Sequence, residues 1–148
     1  MDQTATLEKK YPGAIAWSFG DSHKLADELA DLVISGIKTA SCSSFCCFEK
    51  EENPPAIGGY SIILNGDAHP VCVIRTLSLR VMRFNGVTEE HARKEGEGDL
   101  SLNHWRQAHQ AFFRREGTWS DSMEVVAEEF ELIEIVSPSL PSPRRTVR

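Results

Sequence analysis

Several features of specialised protein classes are missing from this chain of 148 residues. No apolar run approaches the roughly 20 residues that a membrane-spanning helix needs, and the N-terminus lacks the basic-then-apolar order of a secretory signal. We therefore expect a cytoplasmic protein with no membrane partner. Basic residues are too few for a broad phosphate-binding surface, since the net charge is −6. Neither the Gly-x-Gly-x-x-Gly pattern nor a P-loop occurs, which argues against the common nucleotide-binding motifs.

Cysteine is also scarce. Four cysteines in a chain that can bury its own core predict reduced thiols rather than a disulfide framework. The first three lie close together, but they form no Cys-x-x-Cys pair and have no matching histidine pair, so packing is favoured over zinc binding. The four are Cys42, Cys46, Cys47 and Cys72.

Histidine gives no stronger indication of a metal. His91 and Glu95 are four residues apart on a predicted helix, but a lone pair without a third ligand is more typical of a surface pair. His104 and His109 are five residues apart and do not share a helix face. We therefore expect no bound metal and no other cofactor.

Length and composition favour one soluble domain. Hydrophobic residues make up 41% of the chain and charged residues 26%, which is typical of globular proteins. Residues 1–136 are expected to form this domain. Residues 137–148 contain three prolines, several serines and three arginines, and they predict a disordered C-terminal tail.

Periodicity and turn signals predict an α+β order of elements. There is no regular alternation of strand and helix that would build a parallel doubly wound sheet, so a small, mostly antiparallel β-barrel with flanking helices is expected. Helices are predicted over 4–10, from a cap at Asp21 or Ser22 to a stop at Gly36, over 88–95 and over 101–116; strands are predicted over 38–48, 60–64, 71–84 and 125–136, with a mobile loop over 49–55 and a bend in the third strand.

The segment between the second helix and the first predicted strand carries the clearest chemical signal. Lys38 stands three residues before Ser41, and a lysine near a hydroxyl can act as its base or bind an anion. In one ideal strand this spacing would place the two side chains on opposite faces, so Lys38 is expected in the turn before the strand. The competing interpretation is that Lys38 covers the helix end, Ser41 is an ordinary strand hydroxyl and Glu95 is a solvated acid.

Four motifs together resemble the ASCH domain family over roughly residues 15–136. The resemblance implies a β-barrel related to the PUA fold and an association with RNA. Small bacterial members of that family include amidohydrolases that deacylate N4-acetylcytidine, and some longer members have been described as single-strand ribonucleases. The motifs are Trp17-Ser18-Phe19-Gly20-Asp21, Gly36-Ile37-Lys38-Thr39-Ala40-Ser41, Val71-Cys72-Val73-Ile74 and Glu95-Gly96-Glu97-Gly98-Asp99.

The resemblance implies that Lys38, Ser41 and Glu95 are catalytic. Ser41 would attack the acyl carbon, and either Lys38 or Glu95 would be the base; if Glu95 is the base, a charged Lys38 would stabilise the oxyanion. This chain departs from the family pattern at Ser43, where an arginine is expected. Residues near the motifs or the barrel mouth are expected to contact substrate: Trp17, Phe19, Thr39, Ser43, Tyr60 and Arg75.

Two functions follow from these observations. The first is an amidohydrolase that acts on N4-acylated cytidine nucleosides, a small-molecule substrate compatible with an acidic protein. The alternative is an ASCH module that binds or cuts single-stranded RNA, favoured by Arg75, Arg80 and Arg83 on one predicted strand. The sequence leaves acyl-chain preference and oligomeric state open.

Overall fold

A computed structural model describes residues 3–136, and the tail predicted for 137–148 lies outside them. None of the helices within 3–136 is long and apolar enough to cross a membrane. All four cysteines carry free thiols. In chain order the elements are α1 (Gln3–Lys10), β1 (Ile15–Trp17), α2 (His23–Ile34), β2 (Ala40–Ser44), α3 (Phe45–Lys50), β3 (Tyr60–Leu64), β4 (Pro70–Arg83), α4 (Glu89–Glu95), α5 (Leu102–Glu116) and β5 (Glu124–Ile135), with a short 3₁₀ turn (Phe84–Gly86) before α4.

The five strands form one sheet in the order β1-β3-β4-β5-β2. It curls into a half-barrel, which confirms the predicted α+β, PUA-like fold. Only β1 pairs in parallel, with β3; the other neighbours are antiparallel. The long strands β4 and β5 shift register between Val73 and Ile74 and again between Thr76 and Ser78, so the predicted bend is present as two irregularities.

Helices cover the sheet with separate apolar clusters. Helix α2 buries Leu29 and Val33 against Phe130 of β5, as its three- and four-residue periodicity predicts. On the other side, α5 buries Trp105 and Phe113 in a second cluster. The functional elements therefore sit on a packed support, which fixes the positions of their side chains.

The segment after β2 differs from the prediction. The expected strand over 38–48 ends at Ser44, and α3 occupies the start of the expected mobile loop. The reason is a cap: the Ser44 hydroxyl accepts a hydrogen bond from the Cys47 N–H at 3.2 Å, which satisfies a free donor of the first helical turn. Strand β1 was not predicted because three residues are too few to show a period.

Lys38 lies in the turn before β2, as the spacing argument predicts. Its backbone N–H and that of Ile37 both donate to the Leu32 carbonyl at 3.0 Å. The next residue, Thr39, donates from its backbone to the Lys94 carbonyl at 2.7 Å and accepts from the Phe130 N–H at 3.0 Å. The turn is therefore tied at once to α2, α4 and β5.

Helix α4 ends on Gly96, whose φ of +74° lies in the left-handed region. A Cβ on Gly96 would approach the Ile37 carbonyl oxygen to 2.7 Å, whereas a Cβ on Gly117, which ends α5 at φ +88°, would meet nothing within 4 Å. Only glycine tolerates both the conformation and the crowding at position 96.

We predict that Gly96→Ala lowers the free energy of unfolding more than Gly117→Ala does. Both variants carry the left-handed penalty of about 1–2 kcal/mol, and only Gly96→Ala forces a backbone oxygen to move. Urea unfolding of both variants and the wild type measures the difference. Equal losses in the two variants would show that α4 does not press on the turn before β2.

Candidate functional site

Lys38 is a buried charged side chain. Its side chain is 1% exposed, and its Nζ donates to Glu97 Oε2 at 2.8 Å. Nζ also lies 3.6 Å from Glu95 Oε1 and donates to the Glu95 backbone carbonyl at 3.4 Å. Two neighbouring carboxylates favour the ammonium form over the free amine. The alternative in which Lys38 merely covers a helix end in solvent is therefore wrong.

Glu95 is buried as completely as Lys38, at 1% exposure of its side chain. Its Oε2 accepts two hydrogen bonds, from Trp105 Nε1 at 2.7 Å and from His91 Nε2 at 2.9 Å. His91 is itself 3% exposed, so the expected surface pair between His91 and Glu95 is wrong as well. The apolar packing of α4 against α5 takes this pair out of water.

His109 completes the group from one turn further along α5. Its Nδ1 faces the Trp105 carbonyl at 3.0 Å, and its Nε2 lies 3.1 Å from Glu95 Oε1. A carbonyl oxygen only accepts, so Nδ1 carries a proton, and the carboxylate beside Nε2 favours a second proton there. The Nε2–Oε1 contact is close but poorly aligned, since Oε1 has no hydrogen bond of good geometry within residues 3–136.

The pKa values of Glu95 and His109 move in opposite directions for one reason. Burial alone would raise the pKa of Glu95, but the charges of His109 and Lys38 and the histidine hydrogen bonds hold it well below its usual range. Burial alone would lower the pKa of His109, but the charge and contact of Glu95, with a contribution from Glu97, raise it. The group therefore combines two carboxylates with two cations.

Glu95, Glu97 and His109 are the one set of three potential metal ligands that the described residues bring together. Lys38 Nζ stands 2.8 Å from one of these ligand atoms, Glu97 Oε2. An ammonium at that place repels a divalent ion and already neutralises the carboxylates. The arrangement fits a resident lysine better than a metal.

A cavity of about 510 Å³ opens beside this charged cluster. Its volume suits a nucleoside-sized ligand. Among residues 3–136, those that line it include four glutamates and no lysine, arginine or histidine. Phe19 joins the two regions, because it lines the cavity and its ring centre lies 5.4 Å from Lys38 Nζ. Lys38 and Glu95 do not line the cavity themselves.

Ser41 lines the cavity, and within residues 3–136 its hydroxyl has no hydrogen-bond partner. It pairs across the sheet with Glu128 of β5, and directly opposed residues of an antiparallel pair point to the same face. Glu128 also lines the cavity. Its Oε2 accepts a hydrogen bond from Thr76 Oγ1 at 2.6 Å, and burial raises the pKa of this carboxyl.

The structure sorts the predicted substrate-contacting residues into two groups. Trp17, Phe19 and Ser43 line the cavity with Ser41. Thr39 is exposed and serves the backbone contacts of the turn.

Tyr60 and Arg75 lie elsewhere. Tyr60 packs against Tyr11 of α1, with ring centres 4.9 Å apart, and Arg75 donates from Nε to the Gly58 carbonyl at 3.3 Å and lies over the Tyr60 ring. Neither residue lines the cavity. Of the six predicted contacts, the structure thus brings three to one place.

Sequence reasoning missed Glu97, His109 and Glu128. His109 carried a usable signal, because it is four residues after Trp105 on the buried stripe of α5, where a polar residue requires a partner. Glu128 carried one too, since it interrupts the buried run of β5. Glu97 lies after the end of α4, where no periodicity applies.

Comparison with known proteins agrees with this geometry. A family model described as the ASCH domain matches residues 15–134. Protein EF3133 from Enterococcus faecalis is 33% identical, with a TM-score of 0.78 over 89% of this chain and 86% of that one. An ASCH domain from Lactobacillus crispatus is also 33% identical, with a TM-score of 0.76 over 87% and 85%.

A more distant similarity concerns the fold alone. A serine-to-alanine mutant of the ASCH protein of Zymomonas mobilis is 12% identical and has a TM-score of 0.52 over 83% of this chain and 71% of that one. No curated protein matches the sequence.

We predict that His109 stabilises the fold more at low pH than at high pH. A raised pKa in the folded state means that its contribution is complete below about 6.5, its ordinary value, and is lost as pH rises through the folded value. Wild type should therefore lose more unfolding free energy between about pH 6.5 and 9 than His109→Gln does.

Urea unfolding at a series of pH values measures this difference. His23→Gln is the matched control, because the pKa of His23 is also raised, by Asp67, but at an exposed position that solvent screens. Parallel pH curves for wild type and His109→Gln would contradict a charged His109.

Proposed function

Since the chain belongs to the ASCH domain family, we propose that it is an amidohydrolase that removes the acyl group from N4-acylated cytidine nucleosides. The observation that carries the proposal is the unpaired Ser41 hydroxyl in a nucleoside-sized cavity, with the buried ammonium of Lys38 beside it. A hydroxyl nucleophile next to fixed positive charge is what amide cleavage through an oxyanion requires.

Lys38 supports the reaction as a cation in this proposal. Its contacts with Glu95 and Glu97 make the neutral amine, and hence a base role, unfavourable. Positive charge one layer below the cavity stabilises an oxyanion strongly, because the surroundings are desolvated. Phe19, which touches both regions, is the part of the wall that separates Lys38 from a bound acyl group.

Glu95 holds Lys38 and is unsuited to accept a proton. Trp105 and His91 donate to it, His109 and Lys38 surround it, and its pKa is well below the usual range. A carboxylate stabilised in this way is a weak base. We assign Glu95 the orientation of Lys38, and Ser41 the attack on the acyl carbon.

The walls of the cavity favour an uncharged aromatic ligand. Trp17, Phe48 and Phe112 supply aromatic surface, and the four glutamates are Glu51, Glu52, Glu116 and Glu128. Aromatic rings stack on a nucleobase, while carboxylates repel phosphate. This composition supports a nucleoside rather than a nucleotide or an RNA strand as the substrate.

The RNA alternative has less support from the strand arginines. Arg83 donates to the Ser122 carbonyl at 3.0 Å, and Arg80 lies 3.6 Å from Glu129 Oε2. Together with Arg75 on Gly58, all three side chains already have partners within the protein. A phosphate backbone would have to compete with those contacts.

We predict that the protein converts N4-acetylcytidine to cytidine and that Ser41→Ala abolishes the conversion. Lys38→Ala should lower kcat by about 10²–10³-fold, the usual loss for one oxyanion-stabilising group. Ser41→Thr, which keeps the hydroxyl, should retain measurable turnover. Ultraviolet absorbance of the cytosine ring follows the reaction.

Lys24→Ala is the control, because Lys24 is a solvent-exposed lysine on α2. Removing Lys38 leaves buried carboxylates without a partner, which costs about 3–5 kcal/mol, so thermal unfolding must accompany that assay. The proposal fails if wild type leaves N4-acetylcytidine intact. Retention of single-stranded RNA that weakens steeply with salt would then favour the alternative.

We also predict that the 5′-monophosphate of N4-acetylcytidine is a poorer substrate than the nucleoside. The four cavity glutamates repel its charge, so kcat/KM should fall by about tenfold or more, equivalent to about 1.4 kcal/mol. The penalty should shrink at high ionic strength. Equal kcat/KM values for both compounds at low salt would contradict an acidic binding cavity.

A further inference from the structure

The proposed reaction needs a group that accepts the Ser41 proton. Neither residue of the buried pair fits that task, since Lys38 is held as an ammonium and Glu95 is already saturated with donors. A suitable base must lie within reach of the Ser41 hydroxyl and face the cavity. Among the described residues that line the cavity, Glu128 meets both conditions.

The sheet register brings Glu128 to Ser41. The two residues are directly opposed in the antiparallel pair of β2 and β5, which places their Cβ atoms about 4.5–5.5 Å apart on one face. A glutamate side chain spans that distance directly or through one water. Thr76 donates to Oε2, and Oε1 has no hydrogen-bond partner within residues 3–136.

We propose that Glu128 is the proton-transferring residue of this cavity: it takes the Ser41 proton during attack on the acyl group and delivers it to the nitrogen that leaves. This inference rests on the proposed function and assigns a residue to its missing step. Thr76, whose hydrogen bond fixes Oε2, is a positioning residue that turns Oε1 toward Ser41.

The proton balance closes without any further reactant. Attack forms the bond between Ser41 Oγ and the acyl carbon while the hydroxyl proton passes to Glu128. Collapse of the oxyanion breaks the C–N4 bond, and the departing nitrogen takes that proton. Water then attacks the acyl-serine, one of its protons passes to Glu128, and Glu128 returns it to Ser41 Oγ as the carboxylic acid leaves.

The surroundings of Glu128 determine the pH range in which it can work. Burial raises its pKa above the ordinary 4.5, and Thr76 and Lys38 oppose that rise only in part. The other ionisable groups that share the cavity are Cys42 of β2, Cys47 of α3, Glu51 and Glu52 after α3, and Glu116 of α5. These carboxylates further disfavour a second negative charge. Activity should therefore decline as pH falls, with a midpoint above 4.5.

The test compares Glu128→Gln with wild type on N4-acetylcytidine across the pH range. The variant keeps the side-chain shape, so KM should change little while kcat falls by about 10²–10⁴-fold, the usual contribution of a general base. The acid limb of kcat/KM seen in wild type should also disappear. Glu131→Gln is the matched control, since Glu131 lies on the same strand at an exposed position.

A second assay separates this inference from the proposed function. p-Nitrophenyl acetate acetylates reactive serines without cytidine recognition, and intact-protein mass spectrometry measures that labelling, with Ser41→Ala as the blank. Glu128→Gln should label more slowly than wild type by a similar factor.

The outcomes are distinct. If wild type hydrolyses N4-acetylcytidine and Glu128→Gln does so equally well, the inference fails and the proposed function stands. If wild type shows no turnover but labels at Ser41 faster than Glu128→Gln, the function fails and the role of Glu128 stands. Equal labelling of wild type and Glu128→Gln, or no labelling of wild type, overturns the inference. Thermal unfolding of each variant excludes loss of the fold as the cause.

Discussion

The contact between the Lys38 ammonium and the Glu95 carboxylate is the constraint on which the rest of the site depends. Both side chains are 1% exposed, and the desolvation of each ion costs several kcal/mol. The cost is tolerated because the ions are not alone: Glu97 and His109 pair with them, and Trp105 donates a hydrogen bond. Such a cluster contributes little net stability but specifies one arrangement, since displacing any member strands a buried charge. It therefore fixes the turn before β2 to α4 and α5.

The molecule separates charge stabilisation from substrate contact. The cations Lys38 and His109 lie below the cavity wall, while Ser41 and Glu128 face the cavity itself. Phe19 stands between the two layers. A buried cation keeps its field strong because little water screens it, and a cavity without cations of its own does not retain phosphates. Both properties serve the cleavage of a neutral amide.

Much of the fold was predictable from local patterns. The caps at Ser22, Thr88 and Ser101 are all present as hydrogen-bonding side chains, and β3 has its predicted bounds. The strand after Lys38 was predicted too long, because the capping role of Ser44 competes with its strand propensity. Such competition is decided by neighbouring structure, which a local pattern does not contain.

The site was predictable to the extent that it lies in local motifs. Lys38 and Glu95 were singled out, and the structure brings them within 3.6 Å. The roles of His109 and Glu128 depend on long-range pairing: α5 must fold back on α4, and β5 must pair with β2 in one register. Sequence spacing gives no measure of either. The same limit explains Tyr60, whose motif position looked suitable but whose strand faces α1.

A crystal structure of the protein soaked with cytidine, the product of the proposed reaction, tests the central claim most directly. The account predicts the base in the cavity beside Trp17 and Phe112, with its exocyclic nitrogen toward Ser41 and Glu128. Cytidine bound instead in the open groove of Arg106, Arg114 and Trp119, with the cavity unchanged, would contradict it.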